Sequence, residues 1–247
     1  MNQRIFRPEN PSSSGRTSLP RAYSPLITAE SCSPPVSQRA ATALLAVAVS
    51  ALVLAAVGSS APSVGCALCG KNLIKNPGAE LGRGQTTPNE TGAVPDWTKT
   101  AGAFGAAAYS FAGGWITTTS TGPKDKGKNY FFGGTGPAAA NVPANVGTQT
   151  IKVPASAAGH KATLSGWIGN YGADTAQVRA EFMDASGKII SSIRIGPSTT
   201  IASGDMGERG RTGTVPPATT SVEVVITLTD HVNDDYAGVD DLSLVLS

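Results

Sequence analysis

Charge is what this chain has least of. Asp, Glu, Lys and Arg make up 15% of its 247 residues, against about 25% in ordinary soluble domains. That excludes a coiled coil, which needs charged positions flanking an apolar seam, and a chain disordered throughout, which is kept in water by charge. Histidine occurs only at His160 and His231, and cysteine only at Cys32, Cys66 and Cys69. No HExxH zinc motif, GxSxG nucleophile elbow, GxGxxG loop or P-loop occurs in the sequence. The thiols also precede the segment that carries the strand pattern, so a Cys–His nucleophile pair is not expected there. Glu181 and Asp184 are carboxylates, but spacing alone does not make them a glycosidase pair. The expectation is a protein that is not an enzyme.

A basic patch is missing as well. Residues 1–69 carry five Arg and two Glu, and residues 70–247 carry 14 Lys and Arg against 15 Asp and Glu. The net charge of +2 therefore belongs to the leader. A nucleic-acid module needs Lys and Arg to neutralise phosphates, and only Lys124, Lys126 and Lys128 cluster, around Asp125. No nucleic-acid partner is expected.

The N-terminal segment is of a different kind. Residues 1–40 are rich in Ser, Pro and Arg without apolar periodicity and read as a disordered extension. Residues 41–57, ATALLAVAVSALVLAAV, carry no charge. That run lies between a signal-peptide core of about 7–15 residues and a spanning helix of about 17–25. Arg39 precedes it and Gly58, Ser59, Ser60 and Ala61 follow it. Cleavage after Gly58 or after Ala67 would each place a small residue, Ala56 or Gly65, at the −3 position. A start at Val36 would give an ordinary bacterial signal peptide. Residues 41–58 thus read as a signal-peptide core or a membrane anchor, 59–71 as a linker, and the protein as bacterial, secreted or held in the cell envelope. The membrane is a partner only through 41–57, if uncleaved. Cys66-Ala-Leu-Cys69 lacks the βαβ context of a redox motif and a second CxxC for zinc, and reads as an incidental pair able to close a small disulfide after export.

What the chain has in quantity is turn residues, 29 Gly and 17 Pro, between short alternating runs. In 175–183, TAQVRAEFM, Ala176, Val178, Ala180 and Phe182 share one face, and Gln177, Arg179, Glu181 and Met183 the other. The turn Asp184–Gly187 leads to a return strand over 188–195. Residues 221–229, SVEVVITLT, alternate again, and LSLVL at the end places Leu242, Leu244 and Leu246 together. Further runs lie at 73–75, 107–111, 115–119, 130–132, 149–153 and 163–168. Nine or ten short strands over about 175 residues imply an all-β protein, an antiparallel β-sandwich or jelly roll.

One stretch stands out chemically. Asp230, Asp234, Asp235, Asp240 and Asp241 fall within twelve residues that contain no Lys or Arg. Such carboxylates repel unless solvated or bridged by a hard cation such as Ca²⁺, which takes oxygen ligands. The spacing is not that of an EF-hand.

Asn72-Leu-Ile-Lys-Asn-Pro-Gly-Ala-Glu80 followed by Pro95-Asp96-Trp97, and the ending Val239-Asp-Asp-Leu-Ser-Leu244, resemble the opening and closing of galactose-binding-like jelly rolls, the fold of many carbohydrate-binding modules. Leu164–Gly169 and Phe182–Gly187 resemble secreted bacterial proteins of that kind. The resemblance spans 72–247. It implies that first and last strands lie side by side with a structural Ca²⁺ beside them, held by Glu80 and Asp240, with Asp241 a further candidate. Strand parity with Leu242 and Leu244 predicts an inward Asp240 carboxylate.

The function these features imply is a secreted or surface non-catalytic module that binds a glycan or cell-surface polysaccharide, with Trp115, Trp167, Tyr171, Gln177 and Arg179 as ligand-binding candidates.

 Such a module would hold sugar through aromatic platforms and hydrogen-bonding groups rather than through net charge. The alternatives are a cell-envelope structural or adhesion protein that binds another protein, and a glycan-active hydrolase.

Overall fold

The computed structural model describes residues 66–87, 92–111, 113, 116–135, 144–231 and 235–247, and at 235 the backbone alone. The extension, the apolar run 41–57 and Trp115 lie outside the described residues, as do Asp234 and the rest of 232–234. The described residues belong to one compact unit, Ser59–Ser247. Among them, no helix is long and apolar enough to cross a membrane.

The strands are β1 (Thr98–Ala101), β2 (Gly105–Ala108), β3 (Asn129–Gly134), β4 (Asn145–Lys152), β5 (Lys161–Gly169), β6 (Thr175–Met183), β7 (Ile189–Ile195), β8 (Met206–Thr214), β9 (Ser221–Thr229) and β10 (Asp235–Leu246). They form two five-stranded sheets, in the orders β1-β4-β9-β6-β7 and β2-β3-β10-β5-β8. Every strand pairing is antiparallel. The protein is an all-β antiparallel sandwich.

The alternating runs explain the core. Ala176, Val178, Ala180 and Phe182 of β6 are fully buried, and so are Val222, Val224, Ile226 and Leu228 of β9. They face Leu164 and Ile168 of β5 and Leu242, Leu244 and Leu246 of β10 in one apolar cluster. The β6 and β9 limits match the sequence reading residue for residue.

A second, smaller cluster lies on the other side of the second sheet. It contains Ala107, Tyr109, Phe111, Ile116, Tyr130, Phe132 and Met206. Strand β3, NYFFGG, is buried along its whole length, because Phe131 enters the main core while Tyr130 and Phe132 enter the second. An unbroken apolar run is what a strand covered on both faces requires. The cover is the connection after β2. Ile116, expected in a strand at 115–119, is instead a loop residue that seals this cluster.

The segment before β1 is stitched to the closing strand. Leu73 N–H donates to Leu244 O and Leu242 N–H donates to Pro77 O. The Asn72 side chain donates to Leu242 O at 2.9 Å and accepts from Leu244 N–H at 3.0 Å. The expected run at 73–75 is therefore not a strand, and the isolated bridges to β10 are at Cys69 and Asn72. Cys66 and Cys69 form a disulfide. Trp97 packs edge-on against Phe131, with centroids 4.8 Å apart, and its Nε1 donates to Lys75 O and Asn76 O. It is partly buried and packs against the main core.

Candidate binding face and candidate cation site

The two sheets differ in what lies on their outer faces. The second sheet is overlaid, at β2, β3 and β10, by the apolar cluster just described. The outer face of the first sheet is polar and half-exposed. Cross-strand register makes it a grid. Arg194, Arg179, Val225, Thr148 and Thr98 are successive partners across β7, β6, β9, β4 and β1. Ser192, Glu181, Glu223 and Thr150 form the next row, and Gln177 and Thr227 the row on the other side. Three strand spacings separate β4 from β7, about 14 Å.

Each margin of this face holds a groove. One, of about 510 Å³, is lined by Thr98, Thr148, Thr150 and Lys152 together with Lys75 and Asp96. The other, of about 520 Å³, is lined by Arg179, Glu181, Ile189, Ser192, Arg194 and Arg211. Arg211 comes from β8 of the other sheet. The face thus offers hydroxyl, amide and charged groups along a line between two depressions.

The sequence candidates for ligand contact do not come together. Gln177 and Arg179 are on this open face. Trp167 belongs to the second sheet, where it is partly buried against the second apolar cluster. Tyr171 lies in the β5–β6 connection, 36% exposed, with its ring edge-on to Tyr236 at 5.9 Å. Tyr236 in turn stacks with Phe132 at 6.4 Å. Tyr171 and Tyr236 make an aromatic rim at one end of the sandwich. Asp174, which sequence reading did not single out, fixes that rim. It is buried, and its carboxylate accepts the backbone N–H of His231 at 2.9 Å and of Tyr236 at 3.0 Å. Burial raises its pKa above the ordinary carboxylate value, although those two hydrogen bonds oppose the shift. Asp174 follows the turn residues Tyr171-Gly172-Ala173, and nothing in that spacing announces a bond to residues 57 and 62 positions away.

The cation candidates lie where the opening segment meets β10. Asp240 is 2% exposed. Its direction corrects the parity argument. The register of β10 against β5 shifts between Asp240 and Ser243, so one extra residue bulges and reverses the alternation. Asp241 sits in that bulge, exposed, with φ 48°. Val239 and Leu242 face the main core, and Asp240 faces outward beside the second cluster. There its Oδ2 accepts the Tyr109 hydroxyl at 2.6 Å, and its Oδ1 accepts the Asp241 N–H at 2.7 Å. Glu80 accepts the N–H groups of Lys128 and Asn129 at 2.9–3.0 Å.

Two glycines leave room for these carboxylates. A Cβ at Gly78 would lie 2.9 Å from Asp240 Oδ1, and one at Gly127, where φ is +63°, would collide with the Glu80 carboxylate. Burial pushes the Asp240 pKa up to about 7, and the charges of Asp241 and Glu80 add to that shift against the hydrogen bonds from Tyr109 and Asp241. Burial and the neighbouring Asp240 raise the Tyr109 hydroxyl, which therefore stays protonated and donates. Neither Glu80 nor Asp240 has a Lys or Arg ion-pair partner among the described residues. Glu80 and Asp240 are near enough for their charges to interact and carry the oxygen donors a hard cation takes, but among the described residues they and Asp241 do not form a group of three whose donor atoms lie within 4.8 Å of one another.

The rise in the Asp240 pKa has a measurable consequence. A group whose folded value exceeds its unfolded value of 3.8 stabilises the protein fully below that value and loses the contribution as pH rises through the folded one. In chelator, melting temperature is therefore expected to fall between about pH 4 and pH 7 more steeply for the wild type than for Asp240→Asn. Thermal scans at stepped pH check this, and equal slopes would contradict it.

Among the described residues, one group of three ligating side chains has its donor atoms within 4.8 Å of one another, namely Cys66, Cys69 and His160. His160 Nδ1 is 3.5 Å from Cys69 Sγ. Both sulfurs are in the disulfide and have no thiolate to offer a metal.

No family model matches this chain, and no curated protein matches it. Solved structures do. The chain is similar to TmCBM61 in complex with β-1,4-galactotriose, at 14% identity over 72% of this chain and 99% of that one, with a TM-score of 0.42. It is similar to a family 16 carbohydrate-binding module at 18% identity, over 70% and 99%, with a TM-score of 0.45. It is also similar to the enzymatically active domain of tailspike protein 4 from bacteriophage CBA120, at 15% identity and a TM-score of 0.47, covering 71% of this chain and 21% of that domain. Carbohydrate-binding modules are thus among the structures it is similar to. Identities this low do not bear on which ligand the chain takes.

Proposed function

We propose that this chain is a non-catalytic polysaccharide-binding module and that its binding surface is the outer face of the β1-β4-β9-β6-β7 sheet. The observation that carries the reading is the asymmetry of the two sheets. One outer face is overlaid by apolar residues, whereas the other displays Thr98, Thr148, Thr150, Gln177, Arg179 and Thr227 in register between two grooves. A sugar chain presents hydroxyls at regular spacing, and a flat array of hydroxyl and amide groups can match them. The described residues of this face include no aromatic platform, so hydrogen bonds rather than ring stacking would carry recognition. The motifs of the opening segment and the closing strand, which resemble those of carbohydrate-binding modules, favour the same reading. Export through the apolar run 41–57 would place the module where polysaccharides are.

A structural Ca²⁺ at Glu80 and Asp240 belongs to this proposal. When bound, it would neutralise two carboxylates that have no cationic partner. Glu80 and Asp240 would hold it between the opening segment and β10, joining the two ends of the fold.

The test is affinity electrophoresis of the full chain through gels containing neutral and acidic polysaccharides. Gln177→Ala and Thr150→Ala are each expected to weaken retention several-fold, because a lost hydrogen bond contributes about 1 kcal/mol. Lys161→Ala, on the second sheet, should leave retention unchanged. Loss of retention in Tyr171→Ala instead would move the site to the aromatic rim. Glu181 and Glu223 are directly opposite on this face, so release of reducing ends that Glu223→Gln abolishes would make the chain a hydrolase.

A further inference from the structure

We infer that the groove at the β7–β8 margin receives an anionic substituent, a carboxylate or a sulfate ester, so that the polysaccharide bound is an acidic one, a conclusion that rests on the first sheet's outer face being the glycan surface. The groove contains three guanidinium groups, from Arg179, Arg194 and Arg211, and one carboxylate, from Glu181. Arg179 and Arg194 are direct cross-strand partners. Like charges so placed repel each other, and a sheet that only had to be stable would avoid them.

Glu181 offsets only one of the three charges: its Oε1 lies 2.9 Å from Arg179 Nε. Glu223, the next carboxylate in the row, is on the β9 side of Glu181, away from β7. Arg194 and Arg211 have no ion-pair partner among the described residues, and both are exposed. Two guanidinium forks are therefore free to bind oxygens in the groove, and the planar fork is the side chain best matched to a carboxylate or other oxyanion.

Position argues for a sugar-borne anion over a free one. The row Arg194, Arg179, Val225, Thr148, Thr98 runs from the groove straight across the hydroxyl-bearing face. An extended chain lying along that row would put one acidic residue among the arginines while its neighbours meet the threonines. Ile189, 50% exposed, lines the same groove and gives the apolar side of a sugar ring a surface to rest on.

The experiment uses the full chain at two salt concentrations against polygalacturonate, dextran sulfate, a neutral galactan and polyglutamate. Retention by an acidic polysaccharide is expected to exceed that by galactan at least tenfold and to fall as salt rises. Polygalacturonate and dextran sulfate separate the carboxylate from the sulfate source. Arg194→Gln and Arg211→Gln, whose folding is checked by circular dichroism, are each expected to lower acidic retention about tenfold, the size of a charge-assisted hydrogen bond, and to lower galactan retention far less. Arg194→Lys should restore part of it. Equal retention of galactan and acidic glycans overturns the inference and leaves the glycan surface standing, as does an acidic preference that survives both arginine substitutions. Equal retention of polyglutamate overturns it in favour of polyanions at large. If no glycan of either kind is retained, the glycan surface itself is refuted.

Discussion

Val178→Asp unfolds the sandwich, and Gln177→Asp leaves it folded. The two residues are neighbours on β6, but Val178 is fully buried between the sheets while Gln177 stands on the open face in register with Thr227. The register of β6 places Val178 between Ile226 on β9 and Ile195 on β7, so an aspartate there meets only apolar atoms. A buried charge without a partner costs several kcal/mol, which is comparable with a total stability of about 5–15 kcal/mol. Circular dichroism and denaturant titration read the result. Equal damage from both substitutions would mean that the faces have been assigned the wrong way round.

Calcium is expected to raise the melting temperature, and EDTA to lower it. A ligand that binds only the folded state at a hundredfold excess over Kd stabilises by about 2.7 kcal/mol. For a domain of this size each kcal/mol moves the midpoint by roughly 2–4 °C, so a shift of about 5–10 °C is the expected scale. Glu80→Gln or Asp240→Asn should remove most of the response. Asp240→Asn should also make the calcium-free protein more stable at neutral pH, since the cost of ionising a buried carboxylate disappears. Asp125→Asn, at an exposed position beside Lys124, should change neither. Identical melting in millimolar calcium and in chelator would contradict the site, and a response that survives both substitutions would place the ion elsewhere.

What could be read from sequence follows physical lines. β6 and β9 alternate without a break because one face of each meets the core and the other does not. The neighbourhood of opening segment and closing strand was legible from their motifs, and the backbone bonds of Leu73 and Leu242 realise it. β8, GERGRTGT after its first Met, was not legible. Gly207, Arg209, Arg211 and Gly213 occupy the alternate positions where an apolar set would be expected, and Gly213 is needed because a Cβ there would meet Ile193 at 2.5 Å. The direction of Asp240 was also hidden, since a single bulged residue reverses every side chain beyond it. Its partner Tyr109 is 131 residues away, a distance over which no local pattern operates. The proposed binding face was half legible. Gln177 and Arg179 could be placed on an outward face, but Arg194, Thr148 and Arg211 join them only through cross-strand register and the meeting of two sheet margins.

The most direct measurement is a crystal structure of the chain with an oligosaccharide taken from whichever polysaccharide retains it most strongly. The predicted result is sugar lying across β4, β9, β6 and β7, with hydroxyls bonded to Thr148 and Gln177 and one end beside Arg194. Sugar seated on the Tyr171–Tyr236 rim, with the outer face of the first sheet bare, would contradict it.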